Sequence, residues 1–166
     1  SSIKTAQGLG ISTLNAPFGP SIVLGGYEVK LLEITSAYGS FATDGLWTKP
    51  KPILKIADDQ GEVIEENTSS LRRVLSSHSV ALINSILSDN VSRTPMFGPN
   101  SALFFEEYPV AAKTGTTQDY RDGWTIGYTP SAVIGVWTGN NDNSPMRKEP
   151  GIVFAGPIFH ELMAKL

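Results

Sequence analysis

No cysteine occurs in this chain, which excludes a disulfide framework, a thiolate metal site and a cysteine nucleophile. Charge is sparse as well: 17% of residues are Asp, Glu, Lys or Arg, against about a quarter in an average protein. So light a charge implies that much of the surface is destined for burial. The net charge is -3 and no basic run exceeds Arg72-Arg73, so neither a nucleic-acid footprint nor a polybasic membrane patch is expected. No stretch approaches the ~18 consecutive apolar residues of a membrane span, and no signal-peptide pattern is present. G-x-G-x-x-G and P-loop patterns are missing, so nothing anchors a nucleotide. Asp142, in the run Asn140-Asn141-Asp142-Asn143, lacks an EF-hand context. No metal and no cofactor is expected. The two histidines, His78 and His160, are far apart, each near the end of an expected helix. Capping or packing explains them better than a Ser-His-Asp triad.

What is present reads as alternating helix and strand. Residues 28–43 form a helix with Leu31, Ile34, Tyr38 and Phe41 on one face, closed by Asp44-Gly45. A hairpin follows, 53–57 and 62–64 around a turn at 58–61. A second helix, 77–91, carries Val80, Ile83 and Leu87 on its face and Ser76 or Ser77 as its cap. Residues 91–108, rich in Pro, Gly, Asn and Ser, read as a loop in which Arg93, Phe97 and the stretch on to Asn100 border a cleft. Three strands come next, 110–114, 123–129 and 132–139, joined closely enough to be antiparallel neighbours. A final helix spans 153–165, with Pro157 in about its first turn. The sum is an α/β, or α+β layered, domain. Trp124, Trp137 and Tyr128 are expected in the strand core. The acidic pairs Asp58-Asp59, Glu65-Glu66 and Glu106-Glu107 are expected in solvent. The opening "SSIKTAQGLGI" reads as the interior of something longer.

Lys113-Thr114-Gly115-Thr116 stands at the end of the first of the three strands. A lysine and two hydroxyls at a strand end are often just surface, and a lone K-T-G triplet arises by chance. Its setting has a chemical logic, however. An edge strand can pair with an extended ligand, and a glycine lets that ligand come close. Lysine and threonine can hold a carboxylate by charge-assisted hydrogen bonds. A backbone N–H can stabilise an oxyanion.

The stretches "GPSIVLGGYEVKLLEITSAYGSFATDG", "AAKTGTTQDYRDGWTIGYTP" and "VIGVWTGNNDNSPM" extend over nearly the whole chain. Together they resemble the C-terminal part of a penicillin-binding protein transpeptidase domain, most closely that of the class A, bifunctional enzymes. The resemblance implies a β-lactamase/transpeptidase-like fold, a five-stranded antiparallel sheet with flanking helices, incomplete in residues 1–166. It implies that Lys113 shapes the charge and hydrogen bonding of the catalytic site, and that Thr114 and Thr116 contact the carboxylate of a stem peptide or β-lactam. Gly115 gives clearance, and the Thr116 N–H serves the oxyanion hole. Asp122 pins the turn after this strand and has no catalytic role. The parent implied is anchored in a bacterial cell membrane, with this domain on the periplasmic or extracellular side.

That family needs a nucleophile motif S-x-x-K and a second motif S-x-N, besides K-T-G. Ser1-Ser2-Ile3-Lys4 and Ser88-Asp89-Asn90 match by pattern but are read as decoys. Gly8 and Gly10 stop a helix within two turns of Ser1. Ser88 to Asn90 lie at a helix end, where such residues cap and stop. The nucleophilic serine is therefore expected outside this chain, and the chain alone is expected to be inactive. Its partners are expected to be a peptidoglycan stem peptide, β-lactam antibiotics, and the remainder of its own domain or another polypeptide that covers its apolar surface. Two alternatives remain open at this level. One is a β-lactamase or D,D-carboxypeptidase of the same fold; the other is a non-catalytic module that binds a peptide along the K-T-G strand.

Overall fold

A computed structural model describes residues 2–15 and 18–166. The centre is a three-stranded antiparallel sheet, β5 (Ala111–Thr116), β6 (Asp122–Tyr128) and β7 (Val133–Gly139), in that order. Its two faces follow from the two-residue period of a strand. Ala112, Gly127 and Val136 lie towards α5 (Gly151–Met163); Lys113, Gly115, Trp124 and Gly135 lie on the other face.

Phe159 and Met163 of α5 are fully buried and meet Leu103, Val110, Ala112 and Val136. Gly127 makes that contact possible, since a Cβ there would stand 2.5 Å from Phe159 Cζ. On the opposite face α2 (Leu31–Ala42) crosses β7. A Cβ on Gly135 would strike Thr35 Oγ1 at 2.0 Å, so strand and helix meet there almost backbone to side chain. Helix α3 (Ser77–Ser88) lies beside α2, and Asn84 ties three elements together. It donates to the Phe41 carbonyl and accepts from the Tyr128 hydroxyl at 2.6 Å. Burial, then the nearby Tyr38, push the Tyr128 phenol well above its usual range.

Several expectations need correction. Helix α2 begins at Leu31, not residue 28, because Lys30 is still extended (ψ 136°) and serves as its N-cap. Leu31 is exposed, and Ala37 and Ser40 are the buried positions. Ile34, Tyr38 and Phe41 do share a face, as expected; it lines a groove, and Ile34 also packs against the buried Leu9, Ile11, Leu14 and Ala37. The stop is as expected: Gly45 takes φ 85°, and a Cβ there would also meet the Leu75 carbonyl at 2.3 Å. Helix α3 ends at Ser88, and what was read as loop contains α4 (Asn90–Phe97). Asp89 causes both, closing α3 and capping α4 by accepting from Ser92 N at 2.9 Å. Its carboxyl sits below the usual range because of the Ser92 hydroxyl and N–H. Pro157 is the seventh residue of α5, inside the helix, since α5 starts two residues earlier than the pattern indicates. Trp137 is 37% exposed and Trp124 half-buried; of the three aromatics expected in the core, only Tyr128 is there.

The hairpin, β2 (Lys55–Ala57) and β3 (Val63–Glu66), stands wholly exposed. Its turn is held by Asp58, whose carboxylate accepts from the N–H groups of Gln60 and Glu62. A short pair not foreseen, β1 (Leu46–Trp47) with β4 (Arg72–Arg73), brings the Arg72 guanidinium 4.7 Å above the Trp47 ring. Against the five-strand sheet the family resemblance implies, the described residues hold three strands in the main sheet.

Candidate active-site wall

Strand β5 pairs only with β6 among the described residues, so its other edge is unpaired. The register fixes which groups face that edge. Thr117 N donates to Asp122 O, and antiparallel hydrogen bonding alternates. Thr117, Gly115 and Lys113 thus bond inward to Asp122, Trp124 and Ile126. The N–H and C=O groups of Thr114 and Thr116 point outward, to the open edge.

The side chains divide differently. Lys113 is exposed and its ammonium donates to the Thr114 carbonyl at 2.6 Å. Among the described residues no carboxylate lies within ion-pairing distance of it. Thr116 Oγ1 accepts from the N–H of Gly151, the first residue of α5, at 2.8 Å. Its own proton stays available to donate. Thr114 lies half-buried opposite the fully buried Thr125. At Gly115 an added methyl would reach only ordinary contact, 3.4 Å from Trp124 Cβ. Nothing in the described chain requires a glycine there.

Around this strand end the turn 117–122 is tightly held. Asp122 accepts from the indoles of Trp124 (3.1 Å) and Trp137 (3.0 Å), and its N–H donates to Thr117 Oγ1 (3.0 Å). The pinning role expected of Asp122 is therefore present, and it extends to two tryptophans that spacing did not reveal. Asp119 and Tyr120 both take positive φ, 58° and 55°. The Tyr120 carbonyl is held by Met146 N at 2.9 Å.

Two concavities adjoin Lys113. A recess of about 170 Å³ at the strand edge joins Lys113 and Thr114 to Arg93, Phe97, Leu87 and Leu103, so Arg93 and Phe97 do border it. Arg93 is occupied structurally, donating to the carbonyls of Leu87, Asp89 and Leu103, and burial lowers its pKa. A wider groove of about 530 Å³ has Lys113 at its rim and Ile34, Tyr38, Phe41 and Ile83 along its walls.

The other candidates fall elsewhere. Ser1 lies outside the described residues. Ser2 and Thr5 of α1 (Ser2–Gly8) line the wide groove, and α1 goes no further than Gly8. All three side chains of Ser88-Asp89-Asn90 bond locally: Ser88 to Asn84 O, Asp89 to Ser92, Asn90 to Pro99 O. His160 stacks on Phe105 (4.5 Å between centroids) with Nδ1 3.2 Å from Ala102 O, and His78 is exposed on α3. Asp142 holds Ser144 and nothing else, and no group of three or more metal-ligating side chains occurs among the described residues.

A family model described as the penicillin-binding protein transpeptidase domain matches residues 1–164. The chain belongs to the penicillin-binding protein transpeptidase family. Relatives agree. The chain is 33% identical over 166 residues to penicillin-binding protein 1A of Aquifex aeolicus, covering 97% of this chain and 22% of that protein. It is 34% identical over 142 residues to penicillin-binding protein 1C of Escherichia coli, covering 86% and 16%. Thus the chain spans about a fifth of the length of such relatives. Among solved structures it resembles penicillin-binding protein 1A from Haemophilus influenzae, with a TM-score of 0.80 at 21% identity over 98% of this chain and 30% of that one. It also resembles PonA1 from Mycobacterium tuberculosis, solved with penicillin V, with a TM-score of 0.73 at 22% identity over 95% and 48%. Those two likenesses establish the fold: mixed helix and antiparallel sheet of the transpeptidase type.

Proposed function

We propose that residues 1–166 are the C-terminal part of a peptidoglycan D,D-transpeptidase domain and supply one wall of its active site. The observation that carries this reading is the edge of β5 left unpaired by the described residues, where Lys113 to Thr116 present outward amides, a hydroxyl proton and an ammonium with no carboxylate partner among those residues. A stem peptide lies along that edge as an added strand. Its carboxylate is met by the hydroxyls of Thr114 and Thr116, and Lys113 supplies positive charge. The outward Thr116 N–H is one oxyanion donor, and the nucleophile's own N–H is the other. Gly115 carries no side chain because the ligand occupies the space, which fits the lack of any protein atom demanding a glycine there.

The nucleophilic serine and its lysine come from the remainder of the domain. The serine attacks the penultimate D-Ala carbonyl, the terminal D-Ala leaves, and an amine on a neighbouring stem takes the acyl group. β-Lactams acylate the same serine; a relative in the fold was solved with penicillin V. That remainder also covers the groove whose apolar walls include Ile34, Phe41 and Ile83. No helix of the described residues is long and apolar enough to cross a membrane. The parent is anchored by other segments, and this domain faces the periplasm or cell exterior.

The test is turnover by the full-length protein with a pentapeptide stem and an amine acceptor. Transpeptidation predicts release of D-Ala together with the cross-linked product. D-Ala release without cross-links would favour a carboxypeptidase, and rapid penicillin hydrolysis a β-lactamase. Binding without release of D-Ala would leave a peptide-binding module.

A further inference from the structure

We infer that Gly151, far from the K-T-G stretch in sequence, is a positioning residue for carboxylate recognition, acting through Thr116. The inference rests on the transpeptidase reading above. Gly151 opens α5, so its N–H is one of the donors a helix start leaves without an internal partner. The helix's own N-cap residue, Pro150, makes no side-chain capping bond. Instead the Gly151 N–H donates to Thr116 Oγ1 at 2.8 Å. A hydroxyl whose oxygen accepts from an amide is restricted in where its proton points. Polarisation along the chain also strengthens the bond that proton makes.

The packing allows this bond and no other residue type at 151. A Cβ on Gly151 would lie 2.2 Å from the Gly115 carbonyl oxygen, 2.9 Å from Gly123 Cα and 3.1 Å from Thr116 Oγ1. Two of those three atoms are backbone of the sheet, which cannot swing aside. Gly123 mirrors the requirement, because a Cβ there would meet Gly151 Cα at 2.8 Å. The helix start is thus seated directly on the K-T-G end of β5–β6. Any side chain at 151 lifts α5 away and releases the Thr116 hydroxyl.

The experiment uses the full-length protein and compares acylation by penicillin V with acylation by its methyl ester, which lacks the carboxylate. Wild type should strongly favour the acid. Gly151→Ala and Thr116→Val should each lower the acid-to-ester ratio by roughly tenfold, as loss of a hydrogen bond to a charged group implies. The double variant should fall no further than the larger single effect, because both changes remove one link. Thr116→Ser should keep the wild-type ratio. Equal slowing of acid and ester in Gly151→Ala, or multiplied effects in the double variant, would overturn the inference. Should Gly151→Ala not fold, amide exchange decides. Thr116→Val should speed exchange at Gly151, and unchanged exchange there would overturn the inference. A wild type that forms no adduct with the acid overturns the transpeptidase reading itself, and this inference with it.

Discussion

Phe159→Ala should lower the stability of this chain by about 3–5 kcal/mol, the range for emptying a large aromatic site in a packed core. Phe159 is 0% exposed and its ring fills the contact between α5 and the sheet. Phe105 meets it edge-on at 6.3 Å, and the bare Gly127 lies beneath its tip. Because Gly127 is backbone, little can collapse into the void. The loss is a large fraction of the total stability of a small domain, so the variant should melt early or not fold. Val153→Ala, at a 42% exposed site on the same helix, should change stability by less than about 0.5 kcal/mol. Denaturant titration of the two variants decides; a cost below about 1 kcal/mol at Phe159 would contradict the packing described.

Lys113→Ala in the full-length protein should slow acylation by penicillin V about a hundredfold or more, the scale of losing one electrostatic group at a reacting centre. Its melting temperature should not move. Lys113 is exposed, and its hydrogen bond is to the adjoining Thr114 carbonyl, so the fold does not depend on it. Lys113→Arg should recover only part of the rate, because a planar fork does not replace a compact ammonium. A variant that acylates within about threefold of wild type would remove Lys113 from the site.

Much of the fold was legible because its periodicities are strong. The three sheet strands lie within a residue or two of where alternation and the short turns put them. Helix α4 was not legible: Pro95 and the surrounding Asn, Ser and Gly read as loop, and only the Asp89 cap reveals the helix. The stripe on α2 was legible apart from Leu31, which is exposed. Periodicity reports that Ile34, Tyr38 and Phe41 share a side, and says nothing about what covers it. Trp124 and Trp137, as large apolar strand residues, were expected in the core, and they are not there. Their hydrophobicity does not disclose that both indoles turn to Asp122.

The site was legible in part. Lys113 to Thr116 stood out through the family motif, and the turn behind them through its short spacing. What holds Thr116 did not, because Gly151 lies 35 positions away and its contribution is a backbone N–H that any residue type carries. Its signal was faint: a Pro-Gly pair opening a helix, with no Ser, Thr, Asp or Asn at the N-cap.

The most direct test of the central claim, that this chain is a wall whose nucleophile lies elsewhere, is intact-mass analysis after exposure to penicillin V. Two samples are needed, residues 1–166 alone and the full-length protein. The account predicts no adduct on the 17.8 kDa chain, and one adduct on the full-length protein at a serine outside residues 1–166. An adduct on the chain alone, lost on Ser1→Ala, would contradict it.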